Sequence, residues 1–399
     1  MKIMKFFTLL LLAGVVMPLS LAGCDGGSDT PDTPAVPVPP ESLSLAGADV
    51  SEYTIVYAPN YDDAFVSEFG EYLGDSYEHN KETAERLSKL IKDTLGVELS
   101  VVADDAAETA KEILIGATNR AQSAVTDVKD DAYVLRMSGE KLVIFGGSAG
   151  ATYHAIDAIE KAFAETTVKN MAWDAATDLS GNCKMIRIAC IGDSITEGSI
   201  GGFVNPDLAY PASLQRIYWK DYLVYNYGLG GTTMSSDSQK PYQSSEQYAD
   251  CLGSGLTYDL ILVMLGTNDS KVWGETYTEA QVAEYMQSCE TLFAALHERS
   301  PKAPFLFMNC PVSYVTTGYG NPYMHAIQKS AAELMNTKGY ETYLFNMYRF
   351  TTENMEREHF RDGLHPSYEG YRIMAAEIAE WVRVVLECDD HKYLIQLDY

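Results

Sequence analysis

No part of this 399-residue chain is basic. It holds 56 acidic and 29 basic side chains, and the segments 1–48, 49–180 and 181–399 are each acidic on their own. Nucleic acids and anionic membrane surfaces are therefore poor partners, because both would repel every part of the molecule. The acidity itself is typical of a surface that keeps a protein in solution.

Long hydrophobic runs are also scarce. The apolar run over residues 6–17 follows two lysines and is too short to cross a bilayer as a stable helix. A short apolar run behind positive charges is typical of a secretory signal, so residues 1–23 are predicted to be a signal peptide. No second hydrophobic span follows in the sequence.

The residues that end this signal resemble a bacterial lipobox. They read Leu-Ala-Gly-Cys, and in that motif the cysteine, here Cys24, receives lipid and becomes the mature N-terminus. An ordinary signal peptide with an incidental cysteine is the alternative. Residues 24–48 have little to bury and are predicted to be an extended Pro-rich linker. The resemblance implies an exported lipoprotein at the bacterial membrane surface, which touches the membrane only through its lipid.

Cysteine pairs of the CxxC type are missing. A chain of this length buries a core without covalent links, so we expect neither a disulfide framework nor a zinc site, while a single bridge stays open. Six cysteines follow Cys24, at Cys183, Cys190, Cys251, Cys289, Cys310 and Cys388.

Short apolar runs between residues 49 and 180 predict a small α/β domain. Strands are predicted at 53–57, 97–102, 112–116, 132–137 and 141–146, and helices at 80–95 and after Gly150. The segments ETAERLSKLIKDTLGVEL, EILIGATNR and KLVIFGGSAGATYHAIDAIEKAF resemble the accessory α/β domain that precedes the catalytic barrel of hexosaminidases and α-glucuronidases. The resemblance implies a domain that accompanies carbohydrate-active catalytic domains. His154, on the last helix of this part, is interpreted as structural.

Strands and helices alternate through residues 181–399. This order predicts a parallel, doubly wound sheet, a flavodoxin-like three-layer α/β/α domain, with active groups at the carboxyl ends of the strands. The predicted strands are 185–191, 222–227, 259–265, 304–310 and 341–346, and the predicted helices lie near 208–220, 279–299, 322–338 and 367–387.

Four polar clusters occur at the predicted strand ends and before the last helix. They read GDSIT, NYGLGGT, GTND and DGLHP. A serine is a weak nucleophile until a base takes its proton, and the base needs a group that orients it. Asp362 and His365 are three residues apart, so one turn can bring the carboxylate to Nδ1 and leave Nε2 for Ser194. A glycine N–H and the Asn268 amide are suitable donors for an oxyanion.

In this order and spacing the four blocks resemble the SGNH (GDSL-like) hydrolase family over about residues 185–387. The resemblance implies that Ser194 is the nucleophile, His365 the general base and Asp362 its orienter. It also implies an oxyanion hole made by the Ser194 amide, Gly231 and Asn268. No metal or organic cofactor is implied, and the GxSxG elbow of α/β-hydrolases is absent.

The choice of the oxyanion-hole glycine and the roles of two neighbouring aspartates depend on weaker patterns. Gly231 is preferred over Gly228 and Gly230 because of its offset from Asn226. The acidic neighbours Asp193 and Asp269 are expected to be structural, hydrogen-bonding local backbone in the strand-end loops.

The predicted activity is that of a serine esterase. We expect it to remove O-acetyl groups from an oligo- or polysaccharide. Three features favour this substrate: the predicted export, the resemblance of the first domain to one found beside glycosidases, and the aromatic residues in the loops after the strands. Two alternatives stay open: a lipid acyl esterase or lysophospholipase, with a groove from residues 279–299 and 200–210, and a non-catalytic surface glycan-binding protein. Acyl transfer to a sugar is also open. The aromatic loop residues are Trp273, Tyr277, Tyr314, Tyr319 and Tyr323.

Overall fold

The computed structural model describes residues 36–59, 78–315 and 323–387. The predicted signal peptide, Cys24, Tyr319 and Cys388 lie outside these residues, as do residues 24–35 of the predicted linker. Within the described ranges, no helix combines the length and the apolar character needed to cross a membrane. The five cysteines that fall in those ranges carry free thiols.

Two successive parts of the chain each contain their own strands and helices. The first has β1 (Ser42–Leu45), β2 (Ala48–Asp49), β3 (Thr54–Tyr57), α1 (His79–Leu95), β4 (Val101–Ala103), β5 (Glu112–Ile115), β6 (Ala132–Ser138), β7 (Lys141–Gly146), α2 (Ala149–Glu165), β8 (Asn170–Trp173) and β9 (Gly181–Asn182). The second has β10 (Ile186–Gly192), α3 (Ser194–Glu197), α4 (Tyr210–Ile217), β11 (Tyr222–Gly228), α5 (Glu246–Gly253), β12 (Leu260–Met264), α6 (Thr267–Trp273), α7 (Glu279–Arg299), β13 (Phe305–Met308), α8 (Tyr323–Thr337), β14 (Thr342–Phe345), α9 (Met347–Asn354) and α10 (Tyr368–Glu387).

The first part is an α/β layer. Its main sheet has the strand order β4-β3-β5-β7-β6-β9, parallel from β4 to β7 and antiparallel at β6 and β9. Helices α1 and α2 bury Leu87, Ile91, Ile156 and Ile159 in one apolar core with the strands. Each strand and helix predicted for residues 49–180 overlaps an observed one, whereas β8 was not predicted.

Strand β1 lies inside the segment predicted to be linker. Leu43 and Leu45 are buried, and β1 pairs in parallel with β8, while β9 extends the main sheet to Asn182. The folded part therefore begins near Ser42 rather than at residue 49. Two alternating leucines are too short a pattern to predict a strand whose partner lies more than a hundred residues away.

The second part is built on a sheet with the order β11-β10-β12-β13-β14, and every pair in it is parallel. Ile188 and Cys190 face the core that α4 and α10 cover, whereas Ala189 and Ile191 face the core of α5, α7 and α8. Three layers with the order 2-1-3-4-5 are the flavodoxin-like arrangement, so the predicted fold class is confirmed.

Most predicted elements of this part fall within a few residues of the observed ones. Helices α3, α5, α6 and α9 were not predicted. None of them is longer than eight residues, about two turns, which is too short for an apolar period to be recognised in the sequence.

The two parts meet at the amino ends of the parallel strands of the second. His154 of α2 hydrogen-bonds Asp221, which directly precedes β11, at 3.1 Å. Lys220 forms an ion pair with Glu82 of α1 at 2.5 Å. Trp219 stacks on His79 with the ring centroids 4.2 Å apart. His154 thus has a structural contact, and the carboxyl ends of the strands lie on the opposite side from this interface.

Candidate active site

Ser194 lies directly after the first strand of the parallel sheet. Gly192 ends β10, and a Cβ atom there would come 2.0 Å from Thr196 Oγ1, so only glycine lets the chain enter α3 this closely. Asp193 caps the short helix by accepting a hydrogen bond from the Ile195 amide at 3.1 Å. The serine therefore opens a helical turn at the carboxyl end of β10.

His365 and Asp362 complete a hydrogen-bonded chain with this serine. Ser194 Oγ lies 2.9 Å from His365 Nε2, and His365 Nδ1 lies 2.8 Å from Asp362 Oδ2. Asp362 Oδ1 also accepts the backbone amides of Leu364 at 2.9 Å and His365 at 2.8 Å. The structure thus brings together the three residues predicted for nucleophile, base and orienter, and both side-chain distances are within hydrogen-bond range.

The charge of Asp362 fixes which imidazole nitrogen carries the proton. Burial raises the pKa of Asp362, but the hydrogen bonds from the His365 ring and from the His365 and Leu364 amides outweigh it and hold the pKa below its ordinary value. An ionised carboxylate only accepts, so Nδ1 of a neutral His365 donates to it. Nε2 is then free to accept the hydroxyl proton of Ser194.

Of the three glycines considered for the oxyanion hole, one has an unused amide. Gly228 N–H donates to Asn226 Oδ1 at 2.9 Å, and Gly230 N–H donates to Glu197 Oε2 at 2.8 Å. Gly231 has a φ of +79°, and within the described ranges its N–H has no acceptor. The Ser194 amide is in the first turn of α3, where a helix leaves its N–H groups without intrahelical acceptors.

Asn268 joins this group from the next strand. It is the second residue of α6, directly beyond β12, and its Nδ2 donates to the Thr232 carbonyl at 2.9 Å. A second contact, to Asp193 Oδ2, is 3.5 Å long and therefore weak. One amide hydrogen thus ties Asn268 to the loop that carries Gly231, and the other has only the weak contact with Asp193, which an oxyanion could replace.

Asp193 and Asp269 are both fully buried next to these residues. Burial raises the pKa of Asp193 to about 6, partly offset by the Ile195 amide and by the charge of His365. Burial also raises the pKa of Asp269, whose carboxylate accepts the Met234 and Ser235 amides, each at 2.9 Å. Asp269 thus hydrogen-bonds backbone amides, as expected. The amides belong to the loop after β11, however, and not to the local backbone around Asp269.

The sequence reasoning missed two charged residues at this site. The Glu197 carboxylate accepts the Gly230 N–H, and the Lys240 ammonium donates to the Gly230 carbonyl at 2.5 Å. Glu197 is three residues after Ser194, and this closeness to the predicted nucleophile is the sequence signal that could have identified it. Lys240 belongs to none of the four motif blocks, so no pattern in the sequence indicates it.

The predicted aromatic residues divide into two groups. Trp273 and Tyr277 both contact Tyr323, whose ring stacks on Trp273 and is tilted against Tyr277. Tyr314 instead lies beside the Asp362–His365 turn, because its amide donates to the Gly363 carbonyl at 2.7 Å. Its side chain is 40% exposed. One of the predicted aromatic faces is therefore next to the triad.

The segments suggested for a lipid groove face the interior. Helix α7 buries Tyr285, Leu292, Phe293 and Leu296 in the core beneath it. In residues 200–210, Ile200, Leu208 and Tyr210 are buried and Val204 is exposed. Most of the large apolar side chains of these segments therefore pack in the core, while Phe203 is half-buried.

The sequence model of the GDSL-like Lipase/Acylhydrolase family matches residues 190–373. This range includes all four motif blocks, in agreement with the resemblance to the SGNH (GDSL-like) family predicted for this part of the chain. An acetylxylan esterase of Xylanibacter ruminicola is 26% identical over 215 residues, which are 50% of this chain and 43% of that protein. The chain thus spans less than half the length of this curated relative.

Solved structures also resemble this half of the chain. An acetyl xylan esterase from the rumen bacterium Butyrivibrio proteoclasticus is 16% identical with a TM-score of 0.40, and the match covers 52% of this chain and 67% of that one. The native aryl esterase of M. smegmatis is 22% identical with a TM-score of 0.40, covering 50% of this chain and 100% of that one.

Proposed function

Since residues 190–373 form a GDSL-like acylhydrolase domain, we propose that this protein is a serine esterase that removes O-acetyl groups from carbohydrate outside the cell. The hydrogen-bonded chain from Ser194 through His365 to Asp362, with contacts of 2.9 and 2.8 Å, carries the proposal. Acyl transfer needs a nucleophile, an oriented base and oxyanion donors, and all three types of group meet at this strand end.

The proposed reaction proceeds through an acyl-enzyme. Ser194 Oγ attacks the ester carbonyl carbon while His365 Nε2 takes the hydroxyl proton, and Asp362 stabilises the imidazolium. The carbonyl oxygen becomes an oxyanion that receives hydrogen bonds from the Ser194 and Gly231 amides and the Asn268 side chain. His365 then gives the proton to the leaving alkoxide, and the sugar hydroxyl departs. Water, deprotonated by His365, attacks the acyl-enzyme and releases the acid and Ser194.

Two observations support a carbohydrate as the substrate. The Xylanibacter relative is named an acetylxylan esterase, although it shares only half of this chain. Tyr314 offers an exposed ring that is held rigidly beside the catalytic turn by its hydroxyl bond to the Met355 carbonyl and by contact with Phe360. Flat aromatic faces suit the apolar faces of sugar rings. The buried apolar sides of α7 and residues 200–210 count against the lipid alternative.

Hydrolysis of aryl acetate, butyrate, octanoate and palmitate by the purified protein and its Ser194→Ala variant tests this proposal. We expect a preference for acetate and a loss of at least about a thousandfold in kcat for the variant. Ser254→Ala is the matched control, because that exposed hydroxyl bonds the Cys251 carbonyl, the Leu256 amide and the Tyr258 hydroxyl, none of which belongs to the triad.

The outcomes separate the three functions. Acetate release from acetylated xylan would extend the result to a polymer, whereas a rise in rate toward octanoate would favour a lipid esterase. Binding of glycan without hydrolysis of any ester would favour a glycan-binding protein. Acetylated sugar formed when free oligosaccharide is added would reveal acyl transfer.

The proposed location is the bacterial cell envelope, with a lipid anchor at Cys24. The short apolar run, the Leu-Ala-Gly-Cys sequence and the Pro-rich residues after it support this location. Fractionation of cells that produce a Cys24→Ser variant tests it.

A further inference from the structure

The Gly230–Gly231 peptide is held from outside the motif blocks. Lys240 Nζ donates to the Gly230 carbonyl oxygen at 2.5 Å. In a trans peptide the carbonyl and the following N–H point in opposite directions. A cation fixed on the carbonyl side of this peptide therefore sets the direction of the Gly231 N–H, the amide whose donor is unused.

The other end of Gly230 is fixed by the helix that carries the nucleophile. Glu197 of α3 accepts the Gly230 N–H at 2.8 Å. A Cβ atom on Gly230 would lie 3.5 Å from Ser194 Cβ, so this residue runs directly past the serine. Gly230 is thus held at both of its backbone polar groups. Its N–H donates to Glu197, and its carbonyl, which belongs to the Gly230–Gly231 peptide, accepts from Lys240.

The backbone of Lys240 is tied to the same loop. Its carbonyl accepts the Thr233 amide at 3.1 Å, and Thr233 in turn accepts the Tyr242 amide at 2.9 Å. The Thr232 carbonyl accepts Asn268 Nδ2. Residues 230–242 therefore form a loop closed on itself, in which the ammonium of Lys240 reaches back to Gly230 over a short distance.

We propose that Lys240 is a positioning residue of the oxyanion hole, holding the Gly230–Gly231 peptide so that the Gly231 N–H faces the substrate carbonyl oxygen. An ammonium on the carbonyl also polarises the peptide and strengthens its N–H as a donor. Its effect belongs to the transition state, because the oxyanion carries charge that the ground-state ester does not. The proposal rests on the proposed esterase function.

This role is tested by measuring the kinetics of aryl acetate hydrolysis for three variants: Lys240→Met, Lys240→Arg and Lys338→Met. Removing a direct oxyanion donor costs about 100- to 1,000-fold in kcat, so loss of the group that orients one is expected to cost at least about tenfold, with KM within about twofold. Arginine keeps a cation and an N–H donor and is expected to restore part of kcat. Lys338 is an exposed lysine paired with Glu290 at 2.8 Å and serves as the matched control.

Three results would overturn the proposal: a Lys240→Met kcat within twofold of the parent, a change in KM alone, or an equal loss in the Lys338 control. A change in KM alone would indicate a contact with substrate instead. Labelling of Ser194 by a fluorophosphonate is measured in parallel, since it needs the same donors but no particular ester. A parent that is labelled but hydrolyses no ester would count against the proposed function, and the labelling rates would still test Lys240.

Discussion

At the scale of single residues, Asp193 combines full burial with a place beside the triad. Its carboxylate caps α3 through the Ile195 amide and feels the charge of His365. Burial raises its pKa from 3.8 to about 6, so the folded protein retains a proton there that the unfolded chain has lost. Holding this acid in the interior therefore costs stability whenever it is ionised.

The pH dependence of this cost has a definite sign. Between pH 4 and 6 the folded state binds more protons at Asp193 than the unfolded state, so the contribution of Asp193 to the free energy of unfolding falls as pH rises. The full cost is present above pH 6. Asparagine cannot ionise, so Asp193→Asn is expected to gain about 1 kcal/mol relative to the parent between pH 5 and 7.5.

Urea unfolding of parent and variant at the two pH values measures this difference. Asp250→Asn, at an exposed position of α5, is the control and should show the same difference at both pH values. An Asp193→Asn difference that does not change with pH would show that burial does not perturb this carboxyl.

At the scale of elements, the site depends on how closely β10, β11 and α3 approach one another. Gly192 and Gly228 pair across the two strands, and both face the backbone or side chains of α3. Asn226 adds a tether, because its Nδ2 donates to the Thr196 carbonyl at 2.8 Å. Glycine at these strand ends lets α3 lie directly on the sheet and present Ser194.

Gly228→Ala is expected to separate β11 from α3. The added Cβ would lie 2.2 Å from the Glu197 backbone nitrogen, which cannot rotate away as a side chain could. We expect a loss of about 1–3 kcal/mol in the free energy of unfolding and a lower kcat, measured by urea unfolding and ester hydrolysis.

Gly253→Ala is the matched control for this change. Its Cβ would meet nothing within 4 Å, and alanine favours the end of α5, so stability should stay the same or rise by up to about 1 kcal/mol. An unaltered unfolding midpoint for Gly228→Ala would refute the close-packing argument.

At the scale of the whole molecule, the first part of the chain is remote from the candidate active site. Its contacts with the second include those of Asp221, Lys220 and Arg187, which lie at or just before the amino ends of β11 and β10. Each of those strands has seven residues, which separates their two ends by about 20 Å. The triad and the interface are therefore at opposite ends of the sheet, and the first part contributes no group to the triad.

The proposed anchor gives a prediction at the same scale. If Cys24 carries lipid, the parent protein should sediment with membranes and enter the detergent phase, whereas Cys24→Ser should lose both properties. Esterase activity per molecule should not change, because the described triad does not involve this residue. Fractionation with immunoblotting measures the distribution, and equal membrane retention of the two proteins would contradict the anchor.

The sequence by itself determined the order of strands and helices, the fold class and the residues that meet in the triad. Hydrophobic periodicity is local, and Asp362 and His365 are close enough in sequence for one turn to join them. Strand β1 escaped prediction because its partner β8 is distant in the chain. Helices α3, α5, α6 and α9 escaped it because each has eight residues or fewer, too few to show an apolar period.

Only the tertiary structure decided which backbone N–H groups at the oxyanion hole lack an acceptor and which side chains fix their orientation. Ser194 and His365 are 171 residues apart, and their 2.9 Å contact depends on the whole sheet. Gly230 and Gly231 are neighbours of the same type, and they differ because the Glu197 carboxylate occupies the amide of the first. Lys240 lies outside every motif, so its contact with Gly230 follows from how the loop closes, which no local pattern specifies.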